Sequence, residues 1–135
     1  MQEVRWLQRY ENFQKSIVNL EDTKKCIEKN GLNKIYTMAL IQAFEISFEL
    51  AWKTLKDYLQ FNGIKVDTPR EVIKESFANN IIKDGQIWIE MMEARNKTSH
   101  TYKEEFANEL AEDILNIYIE QINNLEETFK GKTNE

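Results

Sequence analysis

The stretch EARNKTSHTY, residues 93–102, holds the chain's only histidine, His100, with Arg95 five residues before it and Tyr102 two residues after it. Side chains of these types can act together on a phosphodiester. Cutting RNA without a metal needs a group that takes the proton of a 2′-hydroxyl or returns one to the leaving oxygen. An imidazole, with an ordinary pKa near ~6.5, offers both protonation states. A guanidinium supplies positive charge to the developing phosphorane, in a planar fork that matches phosphate oxygens. Lys97 and Lys103 add local basic charge and are the candidate contacts to RNA phosphates. Taken alone, the spacing favours a plainer role, in which Arg95 and His100 satisfy helix ends.

For the three to meet, the chain has to break between them. On one continuous helix, residues five apart point in rather different directions and residues two apart nearly oppose each other. Thr101 followed by Glu104 reads as a capping box that starts the last helix, with Thr101 itself outside it. His100 and Tyr102 can then share a side, and Arg95 can turn toward them from the end of the preceding helix.

The elements around this joint are all helical by pattern. Trp6, Tyr10, Phe13, Ile17, Leu20 and Ile27 make one stripe of a first helix that stops near Asn30-Gly31. The second, from about Lys34 to Asn62, is apolar on more than one side, through Ile35, Met38, Leu40, Ile41, Phe44, Phe48, Ala51, Leu55 and Tyr58. Such a helix packs against neighbours on both sides, one of which could be another subunit. In DTPRE, Thr68 as N-cap, Pro69 at the first helical position and Glu71 form a strong start for a short helix carrying Val72, Ile73 and Phe77. A fourth helix after Gly85 carries Ile87, Trp88, Met91 and Met92 and reaches Arg95. The last runs from about Tyr102 to Phe129 on a stripe of Phe106, Leu110, Ile114, Ile117, Gln121 and Leu125, closed by Lys130-Gly131, with KTNE as a frayed tail. The expectation is an all-α, up-and-down antiparallel bundle of four main helices and one short one, in a single domain spanning 1–135.

Composition narrows the function. The chain is 30% charged and 41% hydrophobic, with one proline, four glycines and a net charge of −5. That acidic balance argues against coating nucleic acid by bulk electrostatics, so any RNA contact must come from a local cluster. Cys26 is alone, which leaves no disulfide framework and no metal-ligand pair, and on its helix it reads as a small core residue. No apolar run nears the ~20 residues of a membrane span and no apolar leader opens the chain, so no membrane contact is expected and the cytoplasm is the default compartment. Glu45 and Glu49, four apart with Lys53 a further four on, could hold a metal or act as an acid/base pair. More often such residues form an exposed ladder in which Glu49 pairs with Lys53, although an acidic residue on this apolar helix could also line the motif groove. Trp52 and Trp88 read as core or dimer-interface residues, with base stacking the less expected use, and Met91 and Met92 as core filler. No glycine-rich phosphate loop and no nucleotidyltransferase signature is present, so no metal and no cofactor is expected.

Arg95-Asn96, three further residues, His100, one residue and Tyr102 resemble the Arg-x4-His-x-Tyr motif of HEPN-domain proteins. FEISFELAWKTLKDYL, residues 44–59, and TPREVIKESF, residues 68–77, are similar to the second and following short helices of the nucleotidyltransferase substrate-binding proteins. These are the HEPN half of HEPN/minimal-nucleotidyltransferase gene pairs, and the resemblance covers most of the chain. It implies a HEPN-like bundle that forms a homodimer, bringing two motifs into one groove. It also implies a metal-independent ribonuclease toxin, with Arg95 stabilising phosphate, Asn96 as the polar residue beside it and His100 as acid/base. The cognate nucleotidyltransferase would be the antitoxin, adenylylating Tyr102. The family's older name carries the alternative of a non-catalytic subunit that presents substrate to the nucleotidyltransferase.

Overall fold

The computed structural model describes residues 2–133, and no β-strand occurs among them. The helices are α1 (Gln2–Asn30), α2 (Lys34–Phe61), α3 (Pro69–Ala78), α4 (Gly85–Asn96), α5 (Glu104–Asp113) and α6 (Ile119–Thr133). α5 and α6 are halves of one rod, joined by a π-helical turn at Ile114–Tyr118, and a 3-10 turn at Thr98–His100 links α4 to α5. Four main helices and a short one make the expected all-α bundle.

Residue pairing gives the directions. Arg9 of α1 bonds Asp57 of α2, and Ser47 of α2 donates to Ser16 of α1, so the two helices run antiparallel. Phe44 stacks on Tyr118 while Tyr58 meets Phe129 edge-on, so the last rod runs parallel to α2. α3 and α4 supply the return between them.

The first stripe is buried as its spacing requires, from Trp6 to Ile27, with Ile17 only partly so. α1 ends where Gly31, at φ +82°, takes the left-handed conformation and donates its N–H to the Ile27 carbonyl at 2.8 Å. The capping box of α3 forms as read: Thr68 accepts from the Glu71 N–H at 3.3 Å, and the Glu71 carboxylate accepts from the Thr68 N–H at 3.4 Å. α2 is the axis of the core, with Leu40, Phe44, Phe48, Ala51 and Leu55 fully buried. Burying each such large side chain contributes roughly 1.5–3 kcal/mol before entropy is counted.

Four expectations change. Phe77, expected inside with Val72 and Ile73, lies exposed on α3 while those two are buried. The last stripe does not pass through Ile117 and Gln121: the π turn winds in one extra residue, so Tyr118 and Ile122 face inward and Ile117 lies exposed. Cys26 is exposed, one step off the line from Leu20 to Ile27. The helix also continues through Gly131 to Thr133, so the first half of the expected tail is helical and its last two residues, 134–135, lie outside the described residues. No helix among the described residues is long and apolar enough to cross a membrane.

Candidate functional site

α4 brings the arginine to its place. Trp88, Met91 and Met92 are buried, and Trp88 packs on Phe48 of α2 at 6.0 Å between ring centroids. Arg95 occupies the next step of that inward stripe, so its side chain is directed at α2 rather than at solvent. There Nε lies 3.1 Å from Glu49 Oε1, an ion-pair distance, although the N–H is not aimed at that oxygen and makes no hydrogen bond to it. Glu49 Oε2 accepts from the Trp52 indole at 3.2 Å and lies 3.7 Å from Lys53 Nζ. The exposed-ladder reading of Glu49 therefore holds only for its pairing with Lys53. The same carboxylate also stands against Arg95, a contact that the sequence spacing does not assign to it.

After Arg95 the chain turns on Thr98, which is buried and whose hydroxyl donates to the Arg95 carbonyl at 2.9 Å. The His100 N–H donates to the Lys97 carbonyl at 2.9 Å and the Lys103 N–H to the His100 carbonyl at 3.0 Å. The expected capping box at Thr101 is absent. Thr101 sits at φ −69°, ψ −9°, inside this tight turn, whereas an N-cap needs extended backbone. α5 starts three residues later behind Lys103, whose backbone is extended and whose side chain caps nothing.

The turn nevertheless supplies the break that the motif requires. His100 and Tyr102 share a side, their rings 6.3 Å apart and tilted by 57°, and Lys103 Nζ lies 5.9 Å from the Tyr102 ring. Both side chains project into solvent, Tyr102 with 76% of its surface exposed. Asn96 and Lys97 are exposed beside them. Arg95 is the member that departs from expectation: Glu49, not His100 or Tyr102, is its ionic partner, because the α4 stripe aims it at α2. Among the described residues no group of three or more His, Cys, Asp or Glu side chains is placed to hold a metal ion. The imidazole and phenol thus project from the turn, while the guanidinium is half-buried against Glu49.

The chain's similarity to known proteins places it in a family. The family model described as "Nucleotidyltransferase substrate binding protein like" matches residues 8–131, and the chain belongs to this HEPN-domain family. It is 33% identical over 85 residues to the "Probable ribonuclease HepT" of Haemophilus influenzae, an alignment covering 59% of this chain and 58% of that protein's length. The crystal structure of a Thermus thermophilus protein has the same fold, with a TM-score of 0.74 at 24% identity over 91% of this chain and 99% of that one.

Proposed function

We propose that this protein is a metal-independent ribonuclease toxin, paired with a minimal nucleotidyltransferase that silences it by adenylylating Tyr102. The observation that carries the reading is the exposed His100–Tyr102 pair on the turn directly after Arg95, in a chain of this family. His100 is the acid/base, Arg95 holds the phosphate charge, and Asn96, Lys97 and Lys103 bind around it. An AMP group on Tyr102 adds bulk and negative charge where RNA phosphate sits, which blocks the site.

Cleavage needs both a proton acceptor and a proton donor, and one chain has a single histidine. A homodimer that faces two motifs across one groove supplies the second. Ile35, Met38 and Ile46 support this: all three are exposed on the α2 stripe that continues into Glu49.

One observation favours a second reading, a non-catalytic subunit on which the nucleotidyltransferase acts. Arg95 is already neutralised by Glu49, while Tyr102 is freely presented. The test is RNA cleavage in EDTA, followed by addition of the neighbouring nucleotidyltransferase with ATP. The toxin reading expects cleavage that stops as Tyr102 gains the mass of AMP. The subunit reading expects AMP transfer with no cleavage of any RNA at any stage.

A further inference from the structure

A second concentration of positive charge lies away from the motif turn, where α1 meets α2. Arg5 and Arg9, one helical turn apart on α1, face Lys53 and Lys56 of α2 across an open cleft of about 380 Å³. Trp52, Asp57 and Gln60 complete its walls. Asp57 is buried and bonded by Arg9 Nε at 3.0 Å, Lys56 Nζ lies 3.5 Å from Asp67 and Lys53 Nζ 3.7 Å from Glu49. Arg5 therefore brings a fourth cation to three carboxylates in a chain of net charge −5. Lys56 Nζ stands 6.0 Å over the Trp52 ring, so the aromatic wall is itself flanked by positive charge.

The cleft is physically continuous with the candidate site. Trp52 and Lys53 both reach Glu49 Oε2, and Glu49 Oε1 is the partner of Arg95. Cations therefore stand on both sides of the Glu49 carboxylate, Arg5, Lys56 and Lys53 toward the cleft and Arg95 toward the turn. An apolar ring between cations, in a groove open to solvent, fits a single-stranded nucleic acid, whose phosphates take the charges while a base lies on the ring. An acidic protein surface would match the charges but would make no use of the ring.

We infer that the Arg5–Arg9–Lys53–Lys56 cleft, with Trp52 as its stacking wall, is a binding site for the RNA strand flanking the bond at Arg95. The inference rests on the ribonuclease reading for its direction but is read out by binding alone. The probe is a short fluorescein-labelled single-stranded RNA with 2′-O-methyl groups, which binds but cannot be cut. Its affinity is followed by anisotropy from about 50 to 200 mM salt. Arg5→Gln/Lys56→Gln should weaken binding roughly tenfold at the lower salt and flatten the logarithmic salt slope by about 1.4, the share of two phosphates on a single strand. Lys24→Gln/Lys25→Gln, which removes the same charge elsewhere on α1, should leave the slope at the wild-type value.

Equal binding by wild type and Arg5→Gln/Lys56→Gln overturns the cleft site, and parallel cleavage of unmodified RNA by wild type would leave the ribonuclease reading standing. Binding that depends on the cleft, without cleavage, supports the site and removes the ribonuclease reading instead. No RNA binding by wild type overturns the site outright. Loss of nucleotidyltransferase association with unchanged RNA binding in the double variant also overturns it, and makes the cleft a protein contact.

Discussion

Arg95 and Glu49 lie 3.1 Å apart at Nε and Oε1, and this contact ties the end of α4 to the middle of α2. It fixes where the guanidinium stands before any RNA arrives, while partly cancelling the charge it would offer. Each side chain is 32% exposed, so the pair contributes only about 0–1 kcal/mol to stability. Glu49→Gln keeps an oxygen for the Trp52 indole and should lower the melting temperature slightly at most. Its effect on RNA cleavage should be larger: tighter RNA binding at low salt, with kcat reduced by up to ~100-fold because Arg95 is no longer held in place. Steady-state kinetics on a labelled RNA checks this, and unchanged kcat would remove Glu49 from the account.

α4 carries Arg95, so its start matters to the site. Asp84 accepts from the Ile87 N–H at 3.1 Å and caps the helix. Asp84→Ala should cost about 1 kcal/mol, read as a lower midpoint in urea with an unchanged slope. Thr68→Ala, which breaks the capping box of α3, should cost a similar amount.

Trp88 joins α4 to α2 and is 1% exposed. Trp88→Ala should destabilise the chain by about 3–5 kcal/mol, the usual range for a lost core aromatic. Chemical denaturation measures it directly. A loss below ~1 kcal/mol would mean that α4 is not held by this contact.

Tyr118 gives a pH dependence with a definite sign. Burial, then the charges of Asp113, Glu90 and Glu93, push its phenol up to about 12 from an ordinary 10.0. The folded chain therefore holds this proton more tightly than the unfolded one. Its contribution to stability is complete below pH 10.0 and is lost as pH rises through about 12. Tyr10, raised by burial and by Glu126, acts in the same direction. Tyr118→Phe should make the alkaline fall in melting temperature shallower across that window, and a fall as steep as wild type would contradict the assignment.

Local chemistry made much of the fold legible. Thr68, Pro69 and Glu71 specify a helix start through bonds within four residues, and the structure forms them. The stripe from Trp6 to Ile27 needs only an α-helical period. Beyond Ile114 that period misleads, because a π turn adds a residue and no residue type announces it, so the inward side passes to Tyr118 and Ile122. At the motif, a break before the last helix is visible in the sequence, but its form is not: Thr98, not Thr101, anchors the turn, since its hydroxyl reaches back to Arg95. Glu49 is recognisable as a carboxylate on the axial helix, but its distance to Arg95 depends on how α4 crosses α2. The cleft between Arg5 and Lys56 is hidden for the same reason, being assembled from helices whose facing register only tertiary packing sets.

A catalytic joint after Arg95 should show itself in RNA cleavage measured in EDTA. Wild type, shown by mass spectrometry to carry no AMP on Tyr102, is compared with His100→Ala. The side chain is exposed, so the variant should keep its melting temperature to within what about 0.5 kcal/mol allows. Cleavage by wild type should survive the chelator and fall by ~10²–10⁴-fold in the variant. Cleavage that His100→Ala leaves untouched, or none by either protein across tRNA, rRNA and mRNA, would contradict it.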